Sequence, residues 1–133
     1  MKRVAEFEAI GTHWRIDLPE TLDPTLVSGV LNKVHKRIEE FDKVYSRFRP
    51  DSLVTKISKT AGEYLFPDDA VDLFAWYRIL YQATSGLLTP LIGQALADAG
   101  YDAEYSLVEK PMTSPKGWDE VMVFEPETRI LST

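Results

Sequence analysis

No cysteine occurs among the 133 residues, which removes disulfides, thiolate nucleophiles and sulfur-ligated metals from consideration. A cysteine-free chain also suits a cytoplasmic setting. Histidine is scarce: His13 and His35 are the only two, and neither belongs to a spaced set with Asp or Glu that would suit zinc. Long apolar runs are missing, since no stretch approaches the roughly 20 residues that a bilayer span needs. In the opening MKRVAEFEAIGTHWRIDL, Glu6 and Glu8 interrupt any leader-like apolar core. Positive charge is in deficit, with 15 basic against 21 acidic residues and a net charge of −6. That balance argues against a nucleic-acid backbone as partner. Repeats, low-complexity tracts and flexible linkers are lacking as well, so the expectation is a soluble protein engaging neither membrane nor nucleic acid.

What remains is the composition of one globular domain, 44% hydrophobic and 27% charged. RVAEFEAI and HWRIDL alternate apolar and polar residues around Gly11-Thr12 and read as two strands or one bent strand. Asp23 and Pro24 then cap and start a long helix. In it Val27, Val30, Leu31, Val34, Ile38, Phe41 and Tyr45 recur at helical spacing, opposite Lys33, Lys36, Arg37 and Lys43. His35 falls on its charged side. RFRPDS breaks the helix, and Asp51 or Ser52 can cap the short helix LVTKIS. KTAGEYLF reads as a turn and a strand.

A further helix runs from Pro67-Asp68 to about Ser85, with Ala70, Leu73, Phe74, Tyr77, Leu80 and Tyr81 on one face and Gly86 as its left-handed terminator. Here Asp68 and Asp69 read as capping and dipole residues. Thr89-Pro90 starts one more helix, closed by Gly100. WDEVMVF and TRILST read as a hairpin around Glu125-Pro126-Glu127. Strands, helices, then strands indicate an α+β fold. Ending on a strand-like segment suggests that residues 1–133 are the front part of a longer domain.

Local chemistry leaves two stretches open. SRFRPDS mixes two arginines with Phe48, so it is either a packed turn or a place where a guanidinium meets phosphate and a ring stacks on a planar ligand. TSGLLTPLIGQALADAGYD, residues 84–102, is either a helix corner in a core or a helix start aimed at an anion. It lacks the lysine and glycine spacing of a P-loop.

Taken together, AIGTHWRIDL, the long helix, FDKVYSRFRPDSLVTKIS and ATSGLLTPLIGQALADAGYD resemble the first half of the ApbE family of flavin transferases, the FAD:protein FMN transferases. The resemblance covers about residues 7 to 102, with short motifs in the family's order. It implies the N-terminal part of an ApbE-like two-layer fold of sheet and helix. It also implies a Mg²⁺-dependent reaction that cleaves the FAD pyrophosphate and attaches FMN to a threonine or serine of an acceptor protein. By the same resemblance Ile10, Gly11 and Thr12 match the strand turn lining the flavin pocket. Ser46, Phe48 and Ser52 match the family's S-x-Y-x-x-x-S segment, with Phe48 against the isoalloxazine ring. Gly86, Leu87, Leu88 and Thr89 match G-x-F-D.

The sequence also departs from the pattern. Thr89 replaces the usual acid, and phenylalanine replaces tyrosine at 48. The family's D-L-G-x-x-x-K-G segment, with its magnesium ligands, has no counterpart here, so those ligands and any catalytic base are expected outside this chain. A non-catalytic flavin-binding or interaction module of the same fold is the alternative. An unfinished sheet edge or uncovered apolar face would favour a second copy or a separate C-terminal chain as partner.

Overall fold

The computed structural model describes residues 2–133. β1 (Lys2–Ala9) and β2 (Thr12–Pro19) form an antiparallel hairpin with Phe7 opposite Trp14 and Ala9 opposite Thr12. Alternation decides which side chains turn inward: Trp14, Ile16 and Leu18 are half-buried, while His13, Arg15 and Asp17 are exposed. The Phe7 and Trp14 rings lie parallel, 6.1 Å apart. The turn between the strands is Ile10-Gly11, with φ +45° and +71°. Positive φ at both central residues matches the twist of the flanking strands.

α1 (Pro24–Tyr45) follows. Its N-cap Asp23 accepts from the Thr25 amide at 2.8 Å, and proline occupies the first turn, where a missing N–H costs nothing. The apolar stripe is only half-covered and no α1 residue is fully buried. His35, although exposed, sets its ring 4.2 Å from that of Phe7, so the side read as charged meets the hairpin.

α2 (Leu53–Lys59) is capped by Ser52, fully buried, whose Oγ accepts from the Thr55 amide at 3.1 Å. β3 (Glu63–Leu65) leads into α3 (Asp69–Ala83). Capping does not account for the two acids at its start. Asp68 makes no capping bond and pairs instead with Arg129 at 2.6 Å. Asp69 accepts from Tyr45 Oη at 2.7 Å and from Arg37. Asp68 already has helical backbone angles, φ −57° and ψ −34°, which are not those of a capping residue, and Asp69 faces α1.

The segment read as one helix after Thr89 is broken: a single 3-10 turn at Pro90–Ile92 bends at Leu91 before α4 (Gly93–Asp98). WDEVMVF is not all strand. Trp118–Val121 forms a helical turn, α5, and only Val123–Glu125 is strand, β4. The physical reason is local hydrogen bonding: the Met122 amide reaches back to Trp118 O at 3.1 Å, and a capping contact at Gly117 closes the turn before the strand can begin. Glu120 reaches back to the Gly117 amide at 3.2 Å and fixes the turn.

β5 (Ile130–Ser132) is the centre of a three-stranded antiparallel sheet ordered β3-β5-β4, with Leu131 opposite both Tyr64 and Phe124. The core lies where this sheet meets α3: Phe66, Ala70, Trp118, Met122 and Leu131 are buried together. Aromatic edges set its geometry, with Phe66 perpendicular to Phe74 at 5.4 Å and Phe74 stacked on Phe124 at 4.3 Å. Among the described residues no helix is long and apolar enough to cross a membrane.

Candidate functional site

The tip of the β1–β2 hairpin and the end of α1 meet in a groove of about 490 Å³. Ile10 and Gly11 line it from the hairpin, Ser46, Arg47 and Phe48 from the end of α1, and Tyr105 from the loop after α4. Each arrives for a local reason. Ile10 is a β-branched residue at φ +45° and is 46% exposed, a place where asparagine would be the ordinary choice. Strain of this kind, about 1–2 kcal/mol, is characteristic of functional positions. Gly11 lies at φ +71°, and a Cβ added to it would meet nothing within 4 Å, so backbone conformation rather than crowding calls for glycine.

Ser46 is the C-cap of α1, and its amide donates to Asp42 O at 3.0 Å. The chain then turns sharply, because Arg49 is held from three sides. It meets Asp51 through two bonds of 3.0 and 3.1 Å, Glu39 at 3.0 Å and Asp42 at 3.1 Å. Arg49 is therefore committed to carboxylates. Arg47 is not. Its guanidinium carbon lies 4.1 Å from the Phe48 ring centre and 5.2 Å from that of Tyr101, and its buried Nη2 has no hydrogen-bond partner. A buried guanidinium nitrogen without an acceptor is chemically suited to an anion.

Phe48 lies in an aromatic group. Tyr105 is stacked on it, 5.1 Å between centres and 9° between planes, and Tyr101 meets it edge-on at 6.0 Å. At the far side of the groove Phe41 and Tyr45 pair at 4.6 Å. Burial, and then the neighbouring Asp69 carboxylate, hold the Tyr45 hydroxyl above its ordinary pKa. Burial would by itself raise Asp69, yet its bonds from Arg37 and Tyr45 outweigh this and hold its carboxyl below the usual range.

The other residues singled out by sequence lie elsewhere. Thr12 begins β2, exposed beside the turn. Ser52 is spent on capping α2. Gly86, at φ +86°, ends α3 with its amide on Tyr81 O at 2.8 Å, and a side chain there would meet the Tyr81 ring at 3.4 Å. Leu87, Leu88 and Thr89 line a second groove, about 600 Å³, with Trp76, Leu80 and Ile92. Thr89, 7% exposed, accepts from the Leu91 amide at 3.2 Å, so its hydroxyl is engaged in a local turn. The structure thus unites Ile10, Gly11, Ser46 and Phe48 and sets Leu87, Leu88 and Thr89 in a separate, apolar groove.

The sequence raises both arginines of SRFRPDS as phosphate contacts, and the structure selects Arg47. The sequence does not point to Tyr45 or Tyr105 as groove residues, although Tyr45 leaves a signal as the helix-end partner of Phe41 four residues earlier. Among the described residues no three His, Asp or Glu side chains gather as a metal-binding set. The aromatic group around Phe48 and the unpartnered Arg47 Nη2 are chemically suited to a planar ring and an anion.

No protein-family model and no curated protein matches the sequence. Solved structures do match the fold. The ApbE protein of Thermotoga maritima aligns with a TM-score of 0.71 and 14% identity over 99% of this chain and 44% of that one. Flavin transferase ApbE from Vibrio cholerae gives 0.71 and 16% over 99% and 45%. Pseudomonas stutzeri flavinyl transferase ApbE, in its apo form, gives 0.70 and 14% over 99% and 46%. The chain has the α+β fold of the N-terminal half of these ApbE proteins and spans less than half their length.

Proposed function

We propose that this chain provides the flavin-facing half of an FAD:protein FMN transferase. The observation that carries this reading is the meeting of the Ile10-Gly11 turn with Ser46 and Phe48 in one groove, on a fold shared with flavin transferases. In this reading Phe48 stacks on the isoalloxazine ring, Ile10 and Gly11 bring backbone close to its edge, and Arg47 meets a phosphate oxygen of FAD. The transfer would join an acceptor threonine or serine oxygen to the FMN phosphorus, break the pyrophosphate P–O bond and release AMP, and Mg²⁺ would supply charge neutralisation there. Its ligands are not in this set of residues, so they come from another segment or chain. Titration of the full-length protein with FAD is expected to give a saturable fluorescence change at micromolar concentration, and none would overturn the proposal. Phe48→Ala should weaken flavin binding by about 1–3 kcal/mol, measured in the same titration.

Thr89 favours a second reading, a flavin-binding module without transferase activity. It stands where the family carries an acid and is used in a local turn. Covalent FMN on an acceptor protein incubated with FAD and Mg²⁺ would exclude that reading.

A further inference from the structure

We propose that Tyr105 is a placeholder for the ligand's planar ring: it occupies the face of Phe48 on which that ring stacks, and it swings away when the ligand enters. This inference rests on the flavin reading above. Phe48 is fixed, because it lies between α1 and α2 beside Arg49, which three carboxylates hold. Tyr105 stands on residues 102–109, which form neither helix nor strand. Its parallel stacking on Phe48 is the contact a flavin ring would make. A second ring cannot share that face at van der Waals distance, so ligand and tyrosine compete for it.

The flap is built to move. Tyr105 and Leu107 have φ +50° and +54°, left-handed values that cost non-glycine residues energy and that opening would release. Among the described residues nothing bonds the Tyr105 hydroxyl. The Tyr105 amide donates to Asp102 O at 3.1 Å and its ring meets that of Tyr101 edge-on at 5.2 Å. The flap is held further by Ser106, whose amide and hydroxyl donate to the Asp102 carboxylate at 2.8 and 2.6 Å, and by the Leu107 amide on Gly100 O at 2.9 Å. Both ends of the moving stretch are anchored. Gly100 is buried at φ +88°, and beyond the flap Lys110 and Thr113 donate amides to buried Asp98 at 2.7 and 2.8 Å. Opening therefore pivots at Gly100 and stops at Lys110.

Binding of riboflavin, FMN and FAD to the full-length protein, followed by flavin fluorescence, tests the proposal. Tyr105→Ala should tighten riboflavin binding about 2- to 10-fold, the worth of one aromatic stack, and Tyr105→Phe should bind like the wild type. In the wild type, which needs no variant to fold, saturating riboflavin should speed hydrogen exchange at the Ser106 and Leu107 amides. Weaker or unchanged binding by Tyr105→Ala, or slower exchange at those amides, would overturn the placeholder and leave the flavin reading standing. A wild type that binds none of the three flavins would remove both.

Discussion

Tyr45 joins the core side of the molecule to the groove, since its ring lines the cavity while its hydroxyl reaches Asp69 on α3. Removing only the hydroxyl leaves the ring in place and leaves Asp69 still paired with Arg37. Tyr45→Phe should therefore cost about 1.5 kcal/mol of stability, the range for a hydrogen bond to a charged acceptor. Urea unfolding should show a lower midpoint at unchanged slope. Ile10 poses the opposite case. A branched side chain at φ +45° is a poor local choice that a folding optimum would not keep. Ile10→Asn should raise stability by about 1 kcal/mol, because asparagine accepts the left-handed conformation. The same variant should bind flavin more weakly through loss of an apolar wall. Thermal unfolding and flavin titration on one preparation would read both effects.

Among the elements, those governed by local rules are legible in the sequence. The limits of α1 follow from Asp23, Pro24 and the break before Pro50, and those of α3 from its apolar stripe and Gly86. Elements whose apolar pattern points to another structure are not. Trp118–Val121 reads as strand because VMVF dominates the pattern, whereas the Glu120 carboxylate accepting from the Gly117 amide and the Met122 amide returning to Trp118 O make it a helical turn. The site divides the same way. Gly11 and Phe48 stand in short motifs that sequence can single out. Which arginine is spent on carboxylates depends on Glu39 and Asp42, a turn or more back along α1, and so emerges only in three dimensions. Tyr105 is invisible until the return of the chain past Gly100 is known. That return is demanding: a side chain at Gly100 would lie 2.7 Å from the Leu107 carbonyl carbon and the Val108 nitrogen. Gly100→Ala should cost at least about 2 kcal/mol through strain and crowding. It should also speed exchange of the Leu107 amide, which hydrogen-exchange mass spectrometry would detect.

Across the whole molecule, carboxylates tie the loops to the helices, and their chemistry sets how the protein meets acid. Hydrogen bonds lower five of them: Asp23 by Thr25, Asp51 by Arg49, Asp69 by Arg37 and Tyr45 against its burial, Asp98 by Thr113 and Gln94, and Asp102 by Ser106. Each thus binds its proton less readily folded than unfolded, where an aspartate titrates near about 3.9. The folded chain then carries fewer protons in the window below that value, so stability falls as pH falls there. Above it both states are ionised, and the contribution of these groups is complete and constant. Urea midpoints should accordingly change little through these groups between about pH 5 and 7 and drop steeply below about pH 4. The order of loss is also fixed by position. Asp98 and Asp102 hold residues 106–113 and little else, whereas Asp69 joins α1 to α3. Protection of the Leu107 and Thr113 amides should fail before the global transition. A midpoint unchanged down to pH 3 would mean that these carboxylate bonds do not form in solution.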